Sequence, residues 1–107
     1  MDIELAAGET LIKEGAANHF KGSEAVGGKL YLTNTRLIFK SHAFNVQAHE
    51  EAFQLGDITS VLPRKTLGII PNGMTVTLKD GREEKFVING RDDWMKQIAG
   101  AKAGTRQ

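Results

Sequence analysis

The chain contains no cysteine among its 107 residues, and only two prolines, one tryptophan and one tyrosine. Without cysteine there is no disulfide framework, no thiolate nucleophile and no zinc ribbon, which fits a reducing compartment. No apolar run approaches the roughly 20 residues needed to span a bilayer. The start, Met1-Asp2-Ile3-Glu4-Leu5, is acidic and lacks the basic n-region and apolar stretch of a secretory signal, so a cytoplasmic location is expected. Neither sign of charge dominates. Residues 1–53 carry five Lys/Arg against seven Asp/Glu, or −2, and residues 54–107 carry nine against six, or +3, for a net charge of +1. That is too little to attract a polyanion, and no nucleic-acid partner is expected.

What is present is ordinary for a soluble globular chain, with 40% hydrophobic and 25% charged residues. The length suits one domain with one core, expected over residues 1–104 with a frayed tail at 105–107. Twelve glycines punctuate short apolar runs, as in many-stranded β domains. The most informative run is Gly28 to Lys40, two strands about the turn Asn34-Thr35. Folding there pairs Leu32 with Leu37 and Leu30 with Phe39 on an inward face. The outward face carries Thr33 with Arg36, Tyr31 with Ile38, and Lys29 with Lys40.

Elsewhere the pattern predicts a first strand over 9–17, a polar loop over 18–27, and an extended segment through Phe44, Val46 and Ala48 that continues toward Phe53 and Leu55. Another strand is predicted over 59–65, and a turn at Pro71-Asn72-Gly73. Met74, Val76 and Leu78 alternate into a hairpin at Asp80-Gly81. A three-residue loop with Gly81 in the left-handed region sets Met74 against Phe86. A closing helix is predicted, capped by Asn89, with Asp92 and Asp93 in its first turn and Trp94, Ile98 and Ala101 facing the core. Seven or so short strands and one amphipathic helix imply a small barrel or two-sheet sandwich with the helix plugging an open end.

The hairpin, together with Gly8-Glu9, Leu55-Gly56-Asp57-Ile58, Leu78-Lys79-Asp80-Gly81, Phe86, and Arg91 ahead of Trp94, resembles the GRAM domain of the pleckstrin-homology-like superfold. The segment from Ser41 to Glu50 is similar to the small single-domain bacterial type. The resemblance implies a mainly β fold, a pleckstrin-homology-like barrel of about seven antiparallel strands capped by one C-terminal helix. It also implies a non-enzymatic binding or adaptor role, often at membranes through phosphoinositides. Inositol-phosphate-binding members carry Lys, a gap, then Lys/Arg-x-Arg. Here Lys13 is followed by Lys29-Leu30-Tyr31, with tyrosine where that pattern has arginine.

For catalysis there is no Gly-x-Ser-x-Gly elbow, phosphate loop or Rossmann glycine motif. Glu50-Glu51, Glu83-Glu84 and Asp92-Asp93 are sequence neighbours, which on strands point to opposite faces and make poor acid–base pairs. None of His19, His42 and His49 has the spacing of a metal site, and no cofactor or metal is expected. Two candidate sites for an anionic lipid or membrane surface emerge. One is Lys29 opposite Lys40, two like charges with no evident carboxylate partner, supplemented by Lys21 and Arg36. The other is the basic pair Arg64-Lys65 beside Ile69 and Ile70, suited to a membrane-facing loop. The alternative to lipid is a protein partner or self-association through a sheet edge or through Tyr31 and Ile38.

Overall fold

The computed structural model describes residues 3–22, 24–42, 50–66 and 70–104. Within them lie seven strands and one helix: β1 (Leu11–Lys21), β2 (Glu24–Thr33), β3 (Arg36–Ser41), β4 (Glu50–Gln54), β5 (Ile58–Thr66), β6 (Ile70–Leu78), β7 (Glu83–Ile88) and α1 (Arg91–Gly104). All pairings are antiparallel, in the order β4-β3-β2-β1-β7-β6-β5. The expected barrel is thus a curled half-barrel. β4 and β5 are the two ends of the sheet and are joined by a 3-10 turn at Leu55–Asp57.

The β2–β3 register follows the alternation, with Leu30 opposite Phe39, Leu32 opposite Leu37 and Lys29 opposite Lys40. The loop after β6 has the predicted form. Met74 pairs with Phe86, the Leu78 N–H donates to the Arg82 carbonyl, and Gly81 has φ 91°. Only glycine takes that conformation without strain, so Gly81→Ala is expected to cost about 1–2 kcal/mol. A Lys79→Ala control in the same loop should shift the thermal midpoint far less. Equal midpoints for the two variants would refute the argument.

Several boundaries differ from the sequence reading. β1 continues through Asn18-His19-Phe20 to Lys21, so most of the predicted loop at 18–27 is ladder, turning only around Gly22. Pro71-Asn72-Gly73 lies inside β6, not in a turn. The register slips there, from Arg64 opposite Gly73 to Thr66 opposite Ile70, and such a bulge accommodates a residue with no N–H to donate. The helix begins at Arg91, and the Trp94 N–H is accepted by the Gly90 carbonyl, so Gly90 holds the cap position assigned to Asn89. Phe44, Val46, Ala48 and the tail at 105–107 lie outside the described residues.

Inside the curl, β1 turns Gly15, Ala17 and His19 inward in sequence. At the Gly15 end sits Trp94, whose Cζ2 would lie 3.5 Å from a β-carbon there. Trp94 and Ile98 are buried with Leu30, Leu32, Leu37, Phe39, Met74, Val76 and Phe86 in one core. Lys13 covers the plug from outside, 5.4 Å over the Trp94 ring and 2.8 Å from Asp93. Arg91 fastens the helix start by donating to the carbonyls of Arg64 and Gly73. At the far end of the curl the mouth is formed where β1, β4 and β7 bring His19, Glu51 and Glu84 together.

A second, smaller core lies on the outside. Residues 3–10 strap across the outer face of β2 and β3, where Ile3 buries Tyr31 and Ile38, with Leu5 and Leu11 at the margin. The expectation that Tyr31 and Ile38 face outward holds for the sheet, yet they are 1% exposed because the strap covers them.

Candidate functional site

The polar tip of the β2–β3 hairpin anchors the strap. Asn34 accepts from the Thr10 N–H and donates to the Gly8 carbonyl. Glu9, with its side chain 2% exposed, receives both nitrogens of a bidentate Arg36 fork at 2.7 and 2.8 Å. It also accepts the hydroxyls of Thr33 and Thr35 and the Ala6 N–H. The Arg36 hydrogen bonds, helped by Thr33, Ala6 and Thr35, hold the Glu9 carboxyl well below the usual carboxylate range, against the opposing effect of burial. Arg36 also donates to the Glu4 carbonyl. These contacts tie Arg36, one of the residues named for an anion site, to the strap.

The rest of that first cluster does not assemble. Lys29 and Lys40 do face each other across the ladder, but Lys29 donates to Glu14 at 2.8 Å and lies 5.8 Å from the Tyr31 ring centroid. Lys40 sits opposite Glu50 of β4. A carboxylate on each flanking strand relieves the repulsion that motivated an external anion. The partners were hidden because they come from β1 and β4, outside the hairpin. Lys21 pairs at the β1–β2 turn and Arg36 starts at the β2–β3 turn, so the length of β2 separates them. At about 3.3 Å per residue that is roughly 30 Å along the strand, too far to share one small anion.

The second candidate is more coherent. Leu62 on β5 is 57% exposed and Ile70 at the start of β6 is 43% exposed, beside Arg64 and the exposed Lys65. Ile69 lies outside the described residues. Arg64 lies opposite Gly73, which offers no side chain, and a β-carbon there would come within 2.7 Å of Arg64 Cγ. The guanidinium thus crosses β6 to reach the Phe20 ring, 5.6 Å from its centroid. The lateral row Phe20–Lys85–Thr75–Leu62 runs across β1, β7, β6 and β5 on this same outer face. The result is a mixed face on which Phe20, Leu62 and Ile70 lie among Lys85, Thr75 and Arg64, with Lys65 next to Arg64 along β5.

The mouth was not visible in the sequence. His19 is fully buried, stacked on Phe86 at 4.7 Å and 17° and tilted against Phe39 at 5.1 Å. Its Nε2 lies 2.7 Å from Glu84 Oε1, and its Nδ1 lies 3.7 Å from Glu51 Oε2. Arg82 stands 3.9 Å from the other oxygen of Glu84. The three residues come from three strands, so no spacing rule reveals them. The one hint is a histidine whose neighbours in the alternation, Ala17 and Gly15, face inward.

A family model for the GRAM domain matches residues 1–93. The C-terminal domain of an unknown protein from Leishmania infantum is similar at a TM-score of 0.78 and 20% identity, over 91% of this chain and 87% of that one. The Vps36 N-terminal PH domain is similar at 0.75 and 17% identity, over 94% and 84%. The Slm1-PH domain, solved in complex with phosphoserine, is similar at 0.63 and 18% identity, over 91% and 97%. At these identities the structures establish the fold. No curated protein matches the chain. The family match takes in the strap, the hairpin tip that clamps it, all seven strands and the start of the helix, and by that match the chain belongs to the GRAM domain family.

Proposed function

We propose that this domain is a non-enzymatic, peripheral binding module that acts from the cytoplasm on anionic membrane surfaces, using the outer face and tip of the β5–β6 hairpin. The observation that carries the reading is the grouping of exposed Leu62 and Ile70 with Arg64 and Lys85, with the exposed Lys65 adjacent along β5. Apolar side chains enter the interface while cations meet the headgroups. Three cations near an anionic surface contribute about 3 kcal/mol, which Glu83 on the same face partly offsets, so association should be weak and salt-sensitive. The phosphoserine complex of the Slm1-PH domain supports an anionic partner for a fold of this kind.

Among the described residues no helix is long and apolar enough to cross a membrane, in keeping with contact from one side. A second reading rests on β5 being an end strand of the sheet, with its outer edge available for strand addition by a protein partner or a second copy. Co-sedimentation with phosphatidylcholine vesicles, with and without phosphatidylserine, separates the two. Wild-type protein should pellet only with the anionic vesicles and be released by salt. Arg64→Glu with Lys65→Glu should abolish pelleting while leaving the thermal midpoint nearly unchanged. No pelleting at low ionic strength defeats the membrane reading and leaves the edge strand as the surface to test.

A further inference from the structure

We propose that Asn89-Gly90 is a site of self-modification, where the chain deamidates Asn89 to aspartate and isoaspartate through a succinimide. The sequence holds two Asn-Gly pairs, Asn72-Gly73 and Asn89-Gly90. Asparagine before glycine suits this chemistry, because glycine has no β-carbon to shield its own nitrogen and moves freely about its backbone. The fold treats the two pairs differently. Asn72 is half-buried within β6, and Gly73 is buried and paired on both sides, with Arg64 and Val87. A β-carbon on Gly73 would come within 2.7 Å of Arg64 Cγ, so the backbone there has no room to turn. Asn89 and Gly90 are both exposed, in the turn between β7 and α1. Gly90 has φ 72°, and a β-carbon on it would meet open space.

The helix cap is what leaves Asn89 available. An asparagine at the cap position would hold its carboxamide on the first-turn N–H groups. Here Gly90 takes that position, its carbonyl accepting from the Trp94 N–H. Among the described residues, neither the Asn89 carboxamide nor the Gly90 N–H has a hydrogen-bond partner. Water alone balances the reaction. The Gly90 nitrogen loses its proton to hydroxide and attacks Asn89 Cγ, forming a C–N bond. The Cγ–Nδ2 bond breaks, and ammonia leaves with a proton from water. Water then opens the five-membered imide. Opening at the Cγ carbonyl gives aspartate. Opening at the main-chain carbonyl gives isoaspartate, in which the main chain runs through Cβ and Cγ. Either product adds one carboxylate and cancels the net charge of +1. Asn89 lines a cavity of about 260 Å³ together with Asn18, Gly27, Gly28 and His42, so the new charge falls in that cleft. The isoaspartyl product also lengthens the joint that aims α1, the helix carrying Trp94, into the half-barrel.

The test is to age the purified protein at mildly alkaline pH, folded and in guanidinium chloride, and to map it by tryptic digestion and mass spectrometry. The peptide ending at Arg91 reports Asn89, and the peptide ending at Lys79 reports Asn72. Labelling by an isoaspartyl carboxyl methyltransferase detects the isoaspartate. In the folded protein Asn89 should react about tenfold faster than Asn72 or more, because Asn72 reacts only when the ladders around β6 open. In denaturant the two rates should converge. Asn89→Gln should keep the midpoint of freshly prepared protein close to wild type and accept no methyl label at position 89. Three results would each overturn the assignment. One is an intact Asn89 in folded protein over the interval in which it reacts in denaturant. Another is Asn72 keeping pace with Asn89 in the folded state. The third is a rate difference that persists in denaturant, which would show that neighbouring sequence and not the fold sets it.

Discussion

Replacing Trp94 with alanine is expected to destabilise the domain by about 3–5 kcal/mol, a large share of the total for a chain of this size. The indole is 2% exposed and packs in the same core as Leu30, Leu37, Phe39 and Ile98. It lies directly over Gly15, which has no side chain to swing into the vacated volume. The loss extends to the lid, because Lys13 loses its aromatic face and retains only Asp93. Urea denaturation followed by circular dichroism would measure the effect. A cost below about 1 kcal/mol would mean that α1 does not plug the half-barrel as described.

The second large effect concerns the strap. Glu9→Gln keeps the shape of the side chain and removes its charge, leaving a largely buried guanidinium and two threonine hydroxyls facing a weaker acceptor. Breaking one side of such a pair is expected to cost about 3 kcal/mol. The same carboxylate makes stability depend on pH. The Arg36 hydrogen bonds depress its folded-state pKa from the ordinary 4.5, so the unfolded chain binds more protons and stability rises with pH. The contribution is complete above about pH 4.5 and is lost as pH falls from there toward the depressed value. Asp80, held low by the Arg82 backbone N–H and side chain, and Asp93, held low by Lys13, add to the acid limb. Glu9→Gln should therefore flatten the pH dependence between pH 3 and 5 without abolishing it. An unchanged acid limb would show that the ion pair is not formed in solution.

How much of this was legible depended on the range over which a pattern acts. Leu30, Leu32, Leu37 and Phe39 announced their register because alternation and turn lie within one short segment. The loop at Gly81 could be read for the same reason, since only one loop length sets Met74 against Phe86. Tyr31 and Ile38 were assigned to the correct face, without their cover being identified. What covers them is Ile3, from a segment with no periodicity of its own. β1 was cut short because Asn18 and His19 look like loop residues, whereas His19 is polar because it meets Glu84 on the neighbouring strand β7. The carboxylates beside Lys29 and Lys40 could not be read from the hairpin, because Glu14 and Glu50 come from the neighbouring strands. The residues named for the second candidate site, Arg64, Lys65 and Ile70, are near neighbours in sequence, so their proximity needed no long-range pairing. It gained Leu62 and Lys85 only through ladder pairings that no local reading could supply.

The strand order also divides the chain in time. β1 to β4 form one meander and β5 to β7 another, each built from ladders between strands that are neighbours in sequence. A single ladder joins them, β1 to β7, pairing Ala17 with Ile88 and Phe20 with Lys85. Bringing those far-separated segments together carries the largest loop-closure entropy of any pairing in the sheet, and it is repaid only once Phe86 and Trp94 reach the core. The half-barrel is thus two leaves of local ladders joined by one long-range seam. His19 stands on that seam opposite Phe86, where the two leaves meet.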